Sequence, residues 1–246
     1  MEHHHLMTPG AIVGTWKIAS FVGRGDAVEV YSAVHMSLPL AAALKILACD
    51  DPVRAERFNL EVQFLRSSKC RSLPRFLGHG DLNGRPYIAV EFLLPVEHPA
   101  ADKDIESLVL AAADGFREMH AHGLAHGRAT VQNVMRRKNG EFVLADLGLF
   151  VPFAQIGQAN RASQADDIKA LGELVRECFA GYPPFAWLHV VKQAMHPIPA
   201  QRYRSAAAFA YAVKTRTHGF RVALVVACLA AVALAAAVAI YCFAIL

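Results

Sequence analysis

No aspartate or glutamate follows Glu177 in this 246-residue chain, although six basic residues do: Lys192, Arg202, Arg204, Lys214, Arg216 and Arg221. Charge of either sign is then missing altogether from Val222 to Leu246. At about 1.5 Å rise per residue, a helix over that run crosses a hydrocarbon core of roughly 30 Å with some slack for tilt. A buried helix of that length with no polar face would be out of keeping with a globular domain. The run 222–246 is therefore read as a transmembrane helix, and its position excludes a signal peptide. Residues 216–221 read as a basic linker beside it. Positive flanks stay on the cytoplasmic side and favour anionic headgroups; here they are read as solvated charges that set topology. Cysteine is also sparse. Cys49, Cys70, Cys178, Cys228 and Cys242 include no CxxC pair, which argues against a disulfide framework or a zinc knuckle and fits a reducing compartment. There is no internal repeat, and the only biased tract is the alanine-rich run itself.

What the chain does contain is enough apolar residues, 54 %, for a large domain with its own core. Residues 1–11, with their "HHH" at 3–5, read as a flexible, disordered lead-in. From 12 to 94 the pattern alternates as strands do, in "TWKIASFVG", "VEVYSAVH", "AAALKIL" and "YIAVEFL". One helix interrupts them, "DPVRAERFNLEVQFLRSS", with an Asp-Pro start and Phe58, Val62 and Leu65 on one stripe. From 95 to 215 the pattern is helical. "DIESLVLAAADGFREMHAHG" is amphipathic and closes at Gly123, "EFVLADLGLF" is a short strand and loop, and "QADDIKALGELVRECFAG" and "SAAAFAYAVKTRTHG" are further helices. The expectation is an α+β chain with a small β-rich lobe, a larger helical lobe and a membrane span.

Several residues are of types that handle phosphate. "VGRGDAVEVYSA" is a glycine-rich turn between strands, where backbone N–H groups can cradle phosphates and Gly23 and Gly25 permit close approach. Glycine-rich hairpins are common without any such role. Lys45 lies mid-strand among apolar neighbours, and Glu61 lies sixteen residues on, in the helix. A strand lysine paired with a helix glutamate orients phosphates; the plainer alternative is an edge lysine and a surface glutamate. His120, His122 and His126 form a cluster that invites a zinc reading, but no cysteine or carboxylate stands beside them in sequence, and no metal is assigned to them.

In order, "VGRGDAVEVYSA", "AALK", "RFNLEVQFL", "GRPYIAVEFL", "HGRATVQNVM", "ADLGLF", "ADDIKALGEL" and "PAQRYRSAAAFA" resemble successive motifs of bacterial eukaryotic-type (Hanks-type) serine/threonine protein kinases, over most of residues 12–215. The resemblance implies a bilobal kinase-like fold and an ATP site. Gly23, Gly25, Val30, Lys45 and Glu61 would line that site, and backbone groups of roughly Glu91–Leu93 would read the base. It implies Mg²⁺ at Asn133 and Asp146, with Asp167 bracing the catalytic loop and Arg202 in the closing segment. It also implies an inner (plasma) membrane location with the domain facing the cytoplasm.

The departures from the family pattern are as informative. Where the loop H-R-D-x-x-x-x-N carries its catalytic aspartate, this chain has Arg128; where it carries a lysine, this chain has Thr130. An arginine stays protonated and cannot accept the substrate hydroxyl's proton. Loss of a positioned base typically costs roughly 10²–10⁴ in rate. Asp26 and Val28 alter the glycine loop toward weaker nucleotide binding. No A-P-E motif follows Asp146, and Ser163 is the only hydroxyl residue between Gly148 and Asp167, which speaks against a phospho-switched segment. Arg202 loses its usual glutamate partner and is left needing another, or facing solvent.

The expectation is thus a degenerate, pseudokinase-like member that retains ATP and Mg²⁺ sites with phosphotransfer impaired or lost. Two alternatives stay open: an active atypical serine/threonine kinase, and an interaction module that uses no nucleotide. The expected partners are ATP, a cytosolic protein and the membrane, and not nucleic acid. Ala223, Ala227, Ala231, Ala235 and Ala239 form a small-residue stripe for helix association within the run.

Overall fold

The computed structural model describes residues 5–25, 27–96, 102–147 and 161–216. Six strands form one antiparallel sheet: β1 (Ile12–Val13), β2 (Trp16–Arg24), β3 (Val28–His35), β4 (Ala41–Leu47), β5 (Phe76–Leu82) and β6 (Arg85–Glu91), in the order β1-β2-β3-β4-β6-β5. Helix α1 (Pro52–Ser67) is set between β4 and β5 in sequence. Its start follows from Asp51, whose side chain accepts the Val53 N–H at 2.9 Å, and from Pro52 in the first turn, where a missing N–H costs nothing. Strand β5, "FLGHGDL", has little strand propensity and was not expected. It forms because Asn83 and Gly84 both take positive φ, 54° and 84°, and fold it back onto β6.

The period-2 pattern gives this sheet two buried faces. On one, Val28, Ile88 and Val90 meet Phe58, Val62 and Leu65 of α1 and run on into the core of the helical lobe. On the other, Tyr31, Ala33, Leu44, Ile46, Tyr87 and Ala89 form a second core. Leu6, Met7 and Ala11 pack against that second core. The Leu6 N–H donates to Glu29 at 2.9 Å, the Met7 N–H to the Tyr31 hydroxyl at 3.1 Å, and the Gly10 N–H to the Ile18 carbonyl at 2.8 Å. The expected loose lead-in is therefore corrected for residues 5–11. They cover apolar strand residues that would otherwise face water, and that burial offsets the entropy of ordering them.

The second lobe consists of α2 (Asp102–Ala121), α3 (Arg161–Cys178), α4 (Phe185–Ala194) and α5 (Ala206–Thr215). A small sheet accompanies them: β7 (Leu94–Pro95), β8 (Val134–Arg136) and β9 (Phe142–Leu144), in the order β7-β8-β9. Helix α2 ends where Gly123 takes φ 72° and the Leu124 N–H returns to Met119 at 2.9 Å. Phe116, Met119, Leu171, Leu174, Trp187 and Phe209 fill the helical core.

Arg216 corrects the reading of 216–221 as solvated at its first residue. Its side chain is only 3 % exposed, and it donates to Asp102 at 2.9 Å and Glu106 at 2.8 Å. Its guanidinium lies 3.9 Å from the Trp187 ring centroid, while Trp187 donates to Asp102 at 2.6 Å. An isolated basic flank in the sequence thus finds its acids more than a hundred residues earlier. Arg202, whose usual partner is missing, also finds others: Asp166 at 2.9 Å and the Ala165 and His196 carbonyls at 2.8 and 2.9 Å. Among the described residues no helix is long and apolar enough to cross a membrane. The run 222–246, with its alanine stripe, lies outside the described residues, as do Asp26 and the segment 148–160.

Candidate functional site

In the cleft where the lobes meet, four of the residues that the sequence singles out come together, Lys45 and Glu61 from the first lobe and Asn133 and Asp146 from the second. Pairing of β3 with β4 sets Val30 opposite Lys45, and pairing of β4 with β6 sets Lys45 opposite Ile88. All three therefore share the face that α1 covers, and Lys45 Nζ reaches Glu61 Oε1 at 2.9 Å. Glu61 is 1 % exposed and Lys45 16 %, so the pair is largely shielded from water and screened little. Burial alone would lower the Lys45 pKa, but the charges of Glu61 and Asp146 and the hydrogen bond to Glu61 outweigh it and raise it. Lys45 is held as an ammonium ion, 3.5 Å from the Ala145 carbonyl. The glycine turn closes above with Gly25 N–H on the Val28 carbonyl at 2.9 Å. A Cβ added to Gly23 would meet nothing within 4 Å, and Gly23 does not need a positive φ. The fold does not require glycine there; the open space suits a ligand approaching the backbone.

At the hinge between lobes, Leu93 is buried, and the Glu91 side chain does something that the sequence did not announce. It accepts from Arg137 at 2.6 Å and from the Arg75 N–H at 2.8 Å. Burial pushes the Glu91 pKa up, but the hydrogen bonds and charge of Arg137 win and leave it below the usual carboxylate range. Arg137, on the turn after β8, also donates to the Arg71 and Leu73 carbonyls at 2.7 and 3.2 Å. This one arginine ties the hinge, the segment before β5 and the small sheet together. Its only sequence signal was a basic residue beside the Asn139-Gly140 turn, which is a weak one.

The loop 122–133 is built around Asp167 of α3, which is fully buried. One carboxylate oxygen accepts the His126 N–H at 2.9 Å and sits 2.6 Å from His120 Nε2; the other accepts the Gly127 N–H at 2.5 Å. His126 donates through Nε2 to the Asp146 carbonyl, while its Nδ1 accepts the Arg128 N–H at 3.4 Å. That is the pattern of a neutral imidazole, and burial holds its pKa below 6.5. The histidine cluster thus serves the loop's architecture: His122 Nδ1 lies 3.0 Å from the Glu118 carbonyl.

Arg128 follows on this braced loop with its side chain exposed. Beyond it, Thr130 donates its N–H and its hydroxyl to Asn133 Oδ1, at 3.1 and 2.6 Å. Asn133 Nδ2 donates to Asp146 Oδ2 at 3.0 Å. Asn133 and Asp146 therefore stand side by side, with the amide showing its NH₂ to the carboxylate. A magnesium or calcium ion takes oxygen ligands. One carboxylate facing one N–H does not fit such an ion, and among the described residues no group of three His, Cys, Asp or Glu supplies another seat.

No family model matches the chain. Among similar proteins, the serine/threonine-protein kinase PknH of Mycobacterium bovis is 22 % identical over 224 aligned residues, covering 77 % of this chain and 38 % of PknH. The probable serine/threonine-protein kinase PknB of Bifidobacterium longum is 22 % identical over 236 residues, covering 76 % of this chain and 34 % of that protein. The chain thus spans little more than a third of the length of these relatives. Among solved structures, the PknI kinase domain of Mycobacterium tuberculosis matches with a TM-score of 0.69 at 21 % identity, covering 85 % of this chain and 99 % of that one. PpkA-294 in its apo form matches with a TM-score of 0.68 at 16 % identity, covering 84 % and 99 %. The chain is a protein kinase-like protein: it has the bilobal kinase fold, and its relatives are serine/threonine protein kinases.

Proposed function

We propose that this chain is a membrane-anchored, kinase-like protein that binds ATP in the cleft and has lost, or nearly lost, transfer of the γ-phosphate. It acts as a regulatory or scaffolding partner of a cytosolic protein, with the run 222–246 as its anchor in the inner membrane. The observation that carries the nucleotide half is the formed Lys45–Glu61 pair at 2.9 Å, buried beside an open glycine turn. A lysine left over from a lost function would gain nothing from being held as an ammonium ion in the cleft. The observation behind the transfer half is Arg128, an obligate cation on the braced loop where an acceptor of the substrate proton is needed. Lys45 would contact the phosphates, Glu61 would aim Lys45, and Val30 would line the base.

The test uses the full chain in detergent. Thermal midpoints are measured with and without ATP for the natural chain and for Lys45→Ala. A ligand that binds only the native state raises the midpoint. A rise that depends on Lys45 supports the reading, and no rise leaves the nucleotide-independent module. Transfer of labelled γ-phosphate to a general protein acceptor is then measured. Clear, Asp146-dependent transfer would establish the atypical active kinase instead.

A further inference from the structure

We propose that Thr130 closes the divalent-cation seat of this cleft, so that the site takes its nucleotide without a metal ion. The proposal deepens the ATP-binding reading and rests on it for the nucleotide. A cation shared by Asn133 and Asp146 needs an oxygen from each. Asn133 instead turns Nδ2 to Asp146 and Oδ1 to Thr130. The two ends of the amide are not interchangeable here. The Thr130 N–H can only donate, so rotating the amide would oppose N–H to NH₂ at one end and oxygen to carboxylate at the other.

The hydroxyl of Thr130 adds a second donor to the same oxygen at 2.6 Å, the shortest bond of the group. A lysine, which the kinase resemblance places at this position, carries no group near its Cα that can do the same. The backbone leaves little slack. The Ala145 N–H is bonded to the Asn133 carbonyl at 2.8 Å, the Asn133 N–H to the Thr130 carbonyl at 3.1 Å, and the Val131 N–H to Glu177 at 3.0 Å. The charge that a cation would supply beside Asp146 comes from the Lys45 ammonium, whose Nζ lies 3.5 Å from the carbonyl of the preceding residue, Ala145. Thr130 is thus a positioning residue that acts through Asn133.

The experiment measures ATP affinity of the full chain in detergent, in EDTA and in excess MgCl₂. The natural chain should change by less than about twofold between the two. Thr130→Ala removes the shorter of the two bonds that hold Oδ1 and leaves only the backbone N–H at 3.1 Å, and Mg²⁺ should then tighten ATP binding about fivefold, the worth of one ordinary hydrogen bond. Thr130→Ser keeps the hydroxyl and should behave like the natural chain, which a merely structural role for the side chain would not ensure. A natural chain that needs Mg²⁺ for ATP, or an alanine variant with unchanged Mg²⁺ coupling, overturns the proposal. A second measurement separates its failure from that of the nucleotide reading. Mn²⁺ is added to nitrogen-15 protein without nucleotide, and the Asn133 side-chain amide signal is followed, assigned by its loss in Asn133→Asp. The signal should stay sharp in the natural chain and broaden in Thr130→Ala. Broadening in the natural chain sinks the proposal whether or not ATP binds, whereas no ATP binding with a sharp signal sinks the nucleotide reading alone.

Discussion

The two sides of the cleft keep different things. On the sheet side, Lys45 and Glu61 are paired, buried and aimed inward, with open space under the glycine turn. On the loop side, the scaffold is equally well made, with Asp167 collecting three donors, yet it carries an exposed Arg128 and an Asn133 whose NH₂ faces Asp146. On the function proposed above, architecture and chemistry have separated on the loop side and stayed together on the sheet side. Phosphoryl transfer depends mainly on positioning and charge. A cleft can therefore lose transfer through two or three residues while its fold and its hold on phosphate persist.

The contrast can be broken most severely at Asp167. Replacing it with alanine strands the buried His126 N–H and the part-buried donors of His120 and Gly127, and should cost about 3 kcal/mol in urea unfolding. If Asp167→Ala cost less than 1 kcal/mol, the loop scaffold would be as expendable as its chemistry. Next comes Lys45→Ala, which leaves the Glu61 carboxylate buried and unpaired. It should cost about 3 kcal/mol, and a double-mutant cycle with Glu61→Gln should show most of it as coupling. Additive losses would mean that the sheet side is no better assembled than the loop side.

Some of this is legible in the sequence and some is not, for physical reasons. Lys45 and Glu61 stand out because a charge inside an apolar stripe has to be explained by a partner. The strand pattern marks β3 and β4 cleanly, since both of their faces are buried. Strand β5 escapes because its glycines, histidine and aspartate speak against a strand, although Asn83-Gly84 is a hairpin signal in plain view. The roles of Arg137, Arg202 and Arg216 escape for another reason. The acids that hold them, Asp166, Glu91, Glu106 and Asp102, lie 36 to 114 residues away, and long-range pairing leaves no local trace. The orientation of the Asn133 amide belongs to the same class: residue types say that it sits by Asp146, and only the Thr130 hydrogen bonds say which end faces it.

Arg216→Ala removes two ion pairs and the stack on Trp187. With Asp102 more than half exposed and screened by water, a loss of about 1–2 kcal/mol is expected, with ATP affinity unchanged. A change in affinity would tie the end of α5 to the cleft. The smallest effect is a pH dependence. His126 is neutral in the fold with its pKa held below 6.5, and its stabilising contribution is present above that value. It is lost as pH falls through the lowered folded pKa, because the unfolded chain binds the proton first. Unfolding midpoints should therefore drop on acidification below about pH 6.5, and less steeply in His126→Asn. An equal slope in both would remove His126 from the account of the loop.

On the function proposed above, the cleft holds ATP through Lys45 and does not pass its phosphate on. Equilibrium dialysis of the full chain in detergent against γ-labelled ATP, with a general protein acceptor present, tests both halves in one sample. The expected result is label retained by the natural chain and not by Lys45→Ala, recovered as intact ATP, with none on protein. Label transferred to protein in an Asp146-dependent way, or no retention by the natural chain, would contradict it.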